Sequence, residues 1–151
     1  MIERALMKLI LYADNREKRG NRLETLIHEK IPGIQIIPLS TIDDLSQSLC
    51  RPLHQISIAV IFIFSQNQIK ALLPLEPLFD DIRIVLIISS GEDIPMAAAL
   101  ELKPSFVSFP DPEDSDFEDV LSVLRKIQTR IKKQSYQHRI SDPVDWYIKN
   151  N

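Results

Sequence analysis

Ile56-Ser57-Ile58-Ala59-Val60-Ile61-Phe62-Ile63-Phe64-Ser65 is the most apolar run in the chain. β-branched and aromatic residues dominate it, and Pro52 lies shortly before it. The run is too short to span a bilayer and has the length of a strand buried on both faces. A central parallel strand delivers its C-terminal end to the functional edge of its sheet. Here that end reads Phe64-Ser65-Gln66-Asn67, with no acid, His or Cys.

Working outward, similar runs recur at regular intervals. Lys8 to Ala13 reads as a strand ending at Asp14-Asn15, and Ile34 to Leu39 as a short one whose Pro38 lacks a ladder donor and suits a sheet edge. Ile82 to Ile88 is another buried strand, closing at Ser89-Ser90-Gly91, and Ser105 to Phe109 is the last, cut off by Pro110. Helical patterns separate them. Between Arg16 and Ile31, Leu23, Leu26, Ile27 and Ile31 share one face. Thr41 with Asp44 three residues on marks a helix start, with Leu45 and Leu49 inward. Gln66 to Leu73 allows a short helix before Pro74 and Pro77. Ile94 to Leu102 is Ala-rich, with Asp93 as the expected cap and Pro95 in its first turn. The final helix is expected over Asp116 to Gln134, with Phe117, Val120, Leu121, Leu124, Ile127 and Ile131 on one face. Its acids crowd the start and its bases the end, which complements the helix dipole.

The order βαβαβαβαβα implies a parallel sheet with right-handed crossovers and helices on both faces, a three-layer α/β sandwich. The expected strand order is 2-1-3-4-5, the flavodoxin-like arrangement. It puts the three most apolar strands inside and Pro38 on an edge. At 151 residues the chain is expected to form one domain. A polar tail over 135–151, partly ordered or packed back, carries Trp146 and Tyr147. The net charge of −3 argues against bulk nucleic-acid binding. A single Cys50 excludes an intrachain disulfide. With no signal-peptide pattern and no apolar run of membrane length, a cytoplasmic location and no membrane partner are expected.

In this fold the site lies at the C-terminal ends of the strands, here Asp14-Asn15, Phe64-Ser65, Ser89-Ser90 and Phe109-Pro110. The chain here resembles the receiver domains of two-component response regulators, over roughly residues 8 to 134. Ile10 to Asn15 is similar to the receiver strand that ends in two acids. Val85 to Ser90 is similar to the strand ending in Thr/Ser-Ala, and Phe106 to Pro110 to the one ending in Lys-Pro. The resemblance implies an Mg²⁺ site held by two acids, an Asp acceptor at the end of the third strand, a hydroxyl after the fourth and a Lys after the fifth. Asp14 matches the first acid and Asn15 replaces the second, so Asp14 alone is left as a weak metal ligand. Ser89 matches the hydroxyl. The acceptor is missing, since no Asp or Glu occurs from Leu45 to Leu75, and Phe109 stands where the Lys would be. The implied identity is a pseudo-receiver, unable to run aspartyl phosphorylation.

Each remaining candidate has a plainer reading. Asp14 and Ser89 also read as caps or turn residues. Ser65 is a candidate hydroxyl for phosphorylation, poorly accessible at a strand end. Phe109 reads either as filling the place of the lost Lys or as a packing residue. The resemblance implies a cis peptide at Phe109-Pro110. Arg16, Lys18, Arg19 and Arg22 read either as an anion site or as a solvated face.

The expected role is a non-enzymatic protein-interaction module, with a signalling partner or a second copy as its target. The resemblance places the contact surface on the fourth helix, fifth strand and fifth helix: Met96, Leu100, Arg125 and Lys126, continued by Trp146 of the tail. The alternatives are a receiver with residual metal binding at Asp14 and a flavodoxin-like cofactor domain. Flavin phosphate needs a loop of backbone donors after the first strand, commonly rich in Gly, Ser or Thr, and Asp14-Asn15-Arg16-Glu17-Lys18 supplies none of these.

Overall fold

The computed structural model describes residues 7–14, 17–51, 55–88, 94–110 and 116–140, with side chains of the last helix followed to residue 133. The strands are β1 (Met7–Tyr12), β2 (Ile34–Leu39), β3 (Ile56–Ile63), β4 (Arg83–Ile88) and β5 (Phe106–Ser108). All pair in parallel, in the order β2-β1-β3-β4-β5. The helices are α1 (Arg19–Lys30), α2 (Ile42–Cys50), α3 (Gln66–Leu72), α4 (Met96–Leu100) and α5 (Glu118–Ile140). The expected flavodoxin-like sandwich is the observed one.

The period-2 alternation of the strands divides the core into two halves. Leu9, Leu11, Ile58, Val60, Phe62, Val85 and Ile87 face α1 and α5. Ile10, Tyr12, Ala59, Ile61, Ile63, Ile84, Leu86 and Ile88 face α2, α3 and α4. β3 has neighbours on both edges and layers on both faces, so every side chain from Ile58 to Ile63 is buried. That is why its sequence is a continuous apolar run rather than an alternating one.

Local signals set most helix ends. Thr41 caps α2, its Oγ1 accepting from the Asp44 N–H at 3.1 Å. α3 stops at Leu72 ahead of Pro74, but the chain does not open out there. It continues as a 3₁₀ segment, Leu73–Phe79, through both prolines. The fixed φ of proline is compatible with that tighter helix. α4 is shorter than expected, starting at Met96 with Pro95 as its cap residue. Asp93, the expected cap, lies outside the described residues. α5 runs past Gln134 to Ile140, since the sequence holds no breaker before Pro143.

Two polar contacts tie α5 to the sheet. Gln128 is nearly buried, and its Nε2 donates to the Pro32 carbonyl at 2.7 Å, holding the turn between α1 and β2. Gly33 in that turn has φ +85, and a Cβ there would meet Gln128 Nε2 at 3.3 Å. Ser108 of β5, also buried, donates to Asp119 Oδ2 at 2.6 Å. Asp119 Oδ1 in turn accepts from the Val120 N–H.

Candidate functional site

Parallel strands with crossover helices gather their C-terminal ends at one edge, and the site is built from what those ends hold. β1 hands over to Ala13 and Asp14. Asp14 is half-buried, and its charge reinforces the burial of neighbouring Tyr12. Desolvation first and Asp14 second push the Tyr12 hydroxyl above its ordinary value of 10.0. The Asp14 carbonyl accepts from the Glu17 N–H at 2.8 Å, turning the chain into α1. α1 starts close against the strand: a Cβ at Gly20 would lie 2.8 Å from that of Ala13. A cleft of about 480 Å³ opens on the β2 side of this junction, lined by Asp14, Glu17, Lys18, Asn21, Pro38 and Ser40 among others.

Of the bases at the start of α1, Arg19 and Arg22 are engaged by acids, and Arg16 lies outside the described residues. Arg19 binds Glu17 through Nε at 3.1 Å, with only 8% of the Glu17 side chain exposed, and its guanidinium lies 6.0 Å from the Phe62 ring centroid. Arg22 lies 3.8 Å from Asp116. Phe62 also meets Phe117 edge-to-face, with centroids 5.9 Å apart and an angle of 88°. Phe117 adopts φ 48, a conformation unfavourable for a bulky residue, immediately before α5. Its complete burial offsets that cost.

The end of β3 carries an interlocked cap. Ser65 is the cap residue of α3, and its Oγ accepts from the Gln68 N–H at 3.3 Å. Gln68 reaches back, its Oε1 accepting from the Phe64 N–H at 2.6 Å. This is a capping box displaced by one residue, since the usual return bond goes to the cap residue itself. Gln68 is buried, and its Nε2 has no hydrogen-bond partner. Sequence reasoning singled out Ser65 and missed Gln68. The Ser-x-x-Gln spacing was the signal that could have found it.

At the end of β5, Phe109 is 57% exposed. The expectation that it fills the place of a lysine, or packs inside, is corrected: it does neither. Ser108 turns toward α5, so alternation directs Phe109 to the opposite face of the sheet, at the end of an edge strand. The expected cis bond is corrected too. No peptide is cis among the described residues, so Phe109–Pro110 is trans, the isomer favoured by about 0.5–1 kcal/mol where no inward-turned side chain demands the other. Lys103, which forms the one Lys-Pro pair of the sequence, sits between α4 and β5 with its Nζ 3.2 Å from Glu76. Ser105 beside it bonds the Ile84 carbonyl at the start of β4, which places that lysine at the opposite edge of the sheet.

The structure therefore brings Asp14, Ser65 and Phe109 to one edge. Asn15, Ser89 and Trp146 lie outside the described residues. A receiver's Mg²⁺ wants about six oxygen ligands with carboxylates among them. No group of three His, Cys, Asp or Glu gathers for a metal among the described residues. The donors among the described residues do not make up such a set. Met96 and Leu100, one turn apart on α4, are 41% and 53% exposed. With Phe109 they are the exposed large hydrophobics among the described residues. Arg125 and Lys126 are exposed on α5.

The fold is that of a doubly wound α/β domain, with the candidate site residues Asp14, Ser65 and Phe109 at the strand C-termini. Within that class the chain has the fold of the response-regulator receiver domains. A LuxR family DNA-binding response regulator from Silicibacter pomeroyi superposes with a TM-score of 0.59 at 18% identity, over 81% of this chain and 91% of that one. A CheY-like response regulator from Mesorhizobium loti gives 0.62 at 10% identity, over 81% and 98%. The signal receiver domain of a modulated diguanylate cyclase from Desulfovibrio desulfuricans gives 0.58 at 16% identity, over 87% and 98%. No family model and no curated protein matches the chain. Among the described residues no helix is long and apolar enough to cross a membrane.

Proposed function

We propose that this domain is a phosphorylation-independent pseudo-receiver, a non-enzymatic cytoplasmic signalling module that works through protein contacts. One observation carries the reading. The end of β3, where a receiver holds its acceptor aspartate, is occupied by the Ser65–Gln68 cap, and the sequence has no acid from Leu45 to Leu75. A hydroxyl and an amide committed to backbone groups supply neither a carboxylate nucleophile nor charge for a metal.

The contact surface is the α4–β5 side. Met96, Leu100 and Phe109 leave apolar area in water there, the mark of a docking face when such residues cluster. Intact mass after incubation with acetyl phosphate and Mg²⁺ tests the chemistry: the expected spectrum shows no phosphoryl adduct, and an adduct on any carboxylate overturns the reading. Residual metal binding at Asp14 is the second reading, and isothermal titration with Mg²⁺ is expected to give no heat of binding. A visible absorption spectrum with a flavin band would point instead to a cofactor domain.

A further inference from the structure

The N-terminal edge of the sheet, opposite the candidate site, holds a second cleft. Its volume is about 530 Å³, and Gln55, Ser57, Asp81, Arg83, Ser105 and Ile131 are among the residues lining it. The strands that meet there are β3, β4 and β5. The chain reaches each of them through a residue in the left-handed region: Gln55 at φ 58, Asp81 at φ 66 and Lys103 at φ 56. That backbone costs a residue with a Cβ about 1–2 kcal/mol. β3 adds an irregularity of its own. Lys8 pairs with Ile56 and Leu9 with Ile58, so Ser57 is an extra residue on β3. Such a bulge re-aims its side chain, and Ser57 is half-buried in the wall of the cleft.

Arg83 is the first residue of β4. Alternation puts it on the side of Val85 and Ile87, the half of the core against which Ile131 of α5 packs. Arg83 is half-buried, and its guanidinium has no ion-pair or hydrogen-bond partner among the described residues. Asp81, two residues earlier and exposed, does not pair with it. A guanidinium drawn partly out of water, with five donors and no protein acceptor, is set for an acceptor from outside. Asp81 holds the opposite charge in the same cleft. Two residues span at most about 7 Å, so both groups reach one small molecule. Gln55, Ser57 and Ser105 add uncharged polar groups, and Ile82 and Ile131 add apolar wall.

We propose that this cleft binds a free α-amino acid with an aliphatic side chain. Its carboxylate takes the fork of Arg83, its ammonium group meets Asp81, and its side chain lies along Ile131. A polyanion would be repelled by Asp81, and a wholly apolar molecule would leave Arg83 unpaired. The site uses the opposite ends of the strands from Asp14, Ser65 and Phe109, and it does not depend on the pseudo-receiver reading.

An amide chemical-shift titration of the full chain with L-leucine tests it. Saturable shifts around Ser57, Arg83 and Ser105 are expected, with a dissociation constant of about 1 mM or below. 4-Methylpentanoate lacks the ammonium group and 3-methylbutylamine lacks the carboxylate. Each is expected to bind about tenfold more weakly or worse. Arg83→Gln is expected to abolish the L-leucine shifts and leave the rest of the spectrum in place. Asp81→Asn changes an exposed residue to one that also tolerates the left-handed backbone. It is expected to weaken L-leucine about tenfold and to leave 4-methylpentanoate binding unchanged. No shift up to about 10 mM L-leucine overturns the proposal, as does binding that either variant leaves intact. Saturable shifts with inorganic phosphate and none with L-leucine overturn it in favour of an inorganic anion.

Discussion

The end of β3 and the end of β5 sit at the same sheet edge and are finished in opposite ways. At β3 the terminus is closed by contacts within the chain: Phe62 packs on Phe117, Ser65 caps α3, and Gln68 returns to the Phe64 N–H. At β5 the chain leaves Phe109 in solvent, and α4 also exposes Met96 and Leu100. A central strand has neighbours on both sides, so its terminus is closed by contacts within the chain. An edge strand of three residues has a neighbour on one side only, and the residue after it stays in solvent. The difference separates stability from recognition: substitutions at the first end are expected to cost folding energy, and those at the second to cost binding.

The largest expected effect lies under the closed end. Phe62→Ala removes a fully buried ring and its edge-to-face partner contact, at a cost of about 3–5 kcal/mol in a urea titration. A cost under about 1 kcal/mol would mean that the β3 end is not the rigid half of the comparison. Gln68→Ala leaves the Phe64 N–H without its side-chain acceptor and is expected to cost about 1–3 kcal/mol, while Gln68→Glu retains the acceptor and most of the stability. Ser65→Ala removes the other half of the cap, about 0.5–2 kcal/mol by the same measurement.

At the open end the expected signs reverse. Phe109→Ser and Leu100→Ser are each expected to change folding stability by no more than about 0.5 kcal/mol. The same substitutions are expected to weaken a partner bound on this face about tenfold or more, read by surface plasmon resonance once that partner is in hand. Stability losses at Phe109 matching those at Gln68 would erase the contrast.

The smallest effect is a pH dependence. The Tyr12 hydroxyl is held above 10.0 in the folded chain by burial and by Asp14, so the folded state keeps a proton that the unfolded state gives up. The associated stability is fully present below about pH 10 and is lost as pH rises through the folded value. Tyr12→Phe is expected to flatten that alkaline decline in a thermal melt series. An unchanged slope would place the alkaline loss elsewhere.

Much of the fold was legible because local and global signals agreed. The two-sided apolarity of β3, the Thr41–Asp44 cap and the faces of α1, α2 and α5 each pointed to the element they form. The site was legible only in part. The missing acid at β3 is a fact of sequence, and Ser-x-x-Gln was there to be read. That Gln68 bonds Phe64 rather than Ser65 depends on where the strand lets go of the chain. The direction of Phe109 was misjudged because position in a motif does not say which way a side chain points. Its orientation follows from Ser108 being engaged by Asp119 of α5.

By itself the sequence determined the alternation of strands and helices, the burial of the central strand and the absence of an acid at its end. These depend on periodicity and composition, which are properties of neighbours along the chain. Tertiary structure alone decided that Arg19 serves Glu17 and Phe62, that Phe109 faces solvent, and that Gln128 ties α5 to the turn at Pro32. Each joins or exposes groups according to how elements pack in three dimensions. No local periodicity records distance or direction between residues far apart in sequence.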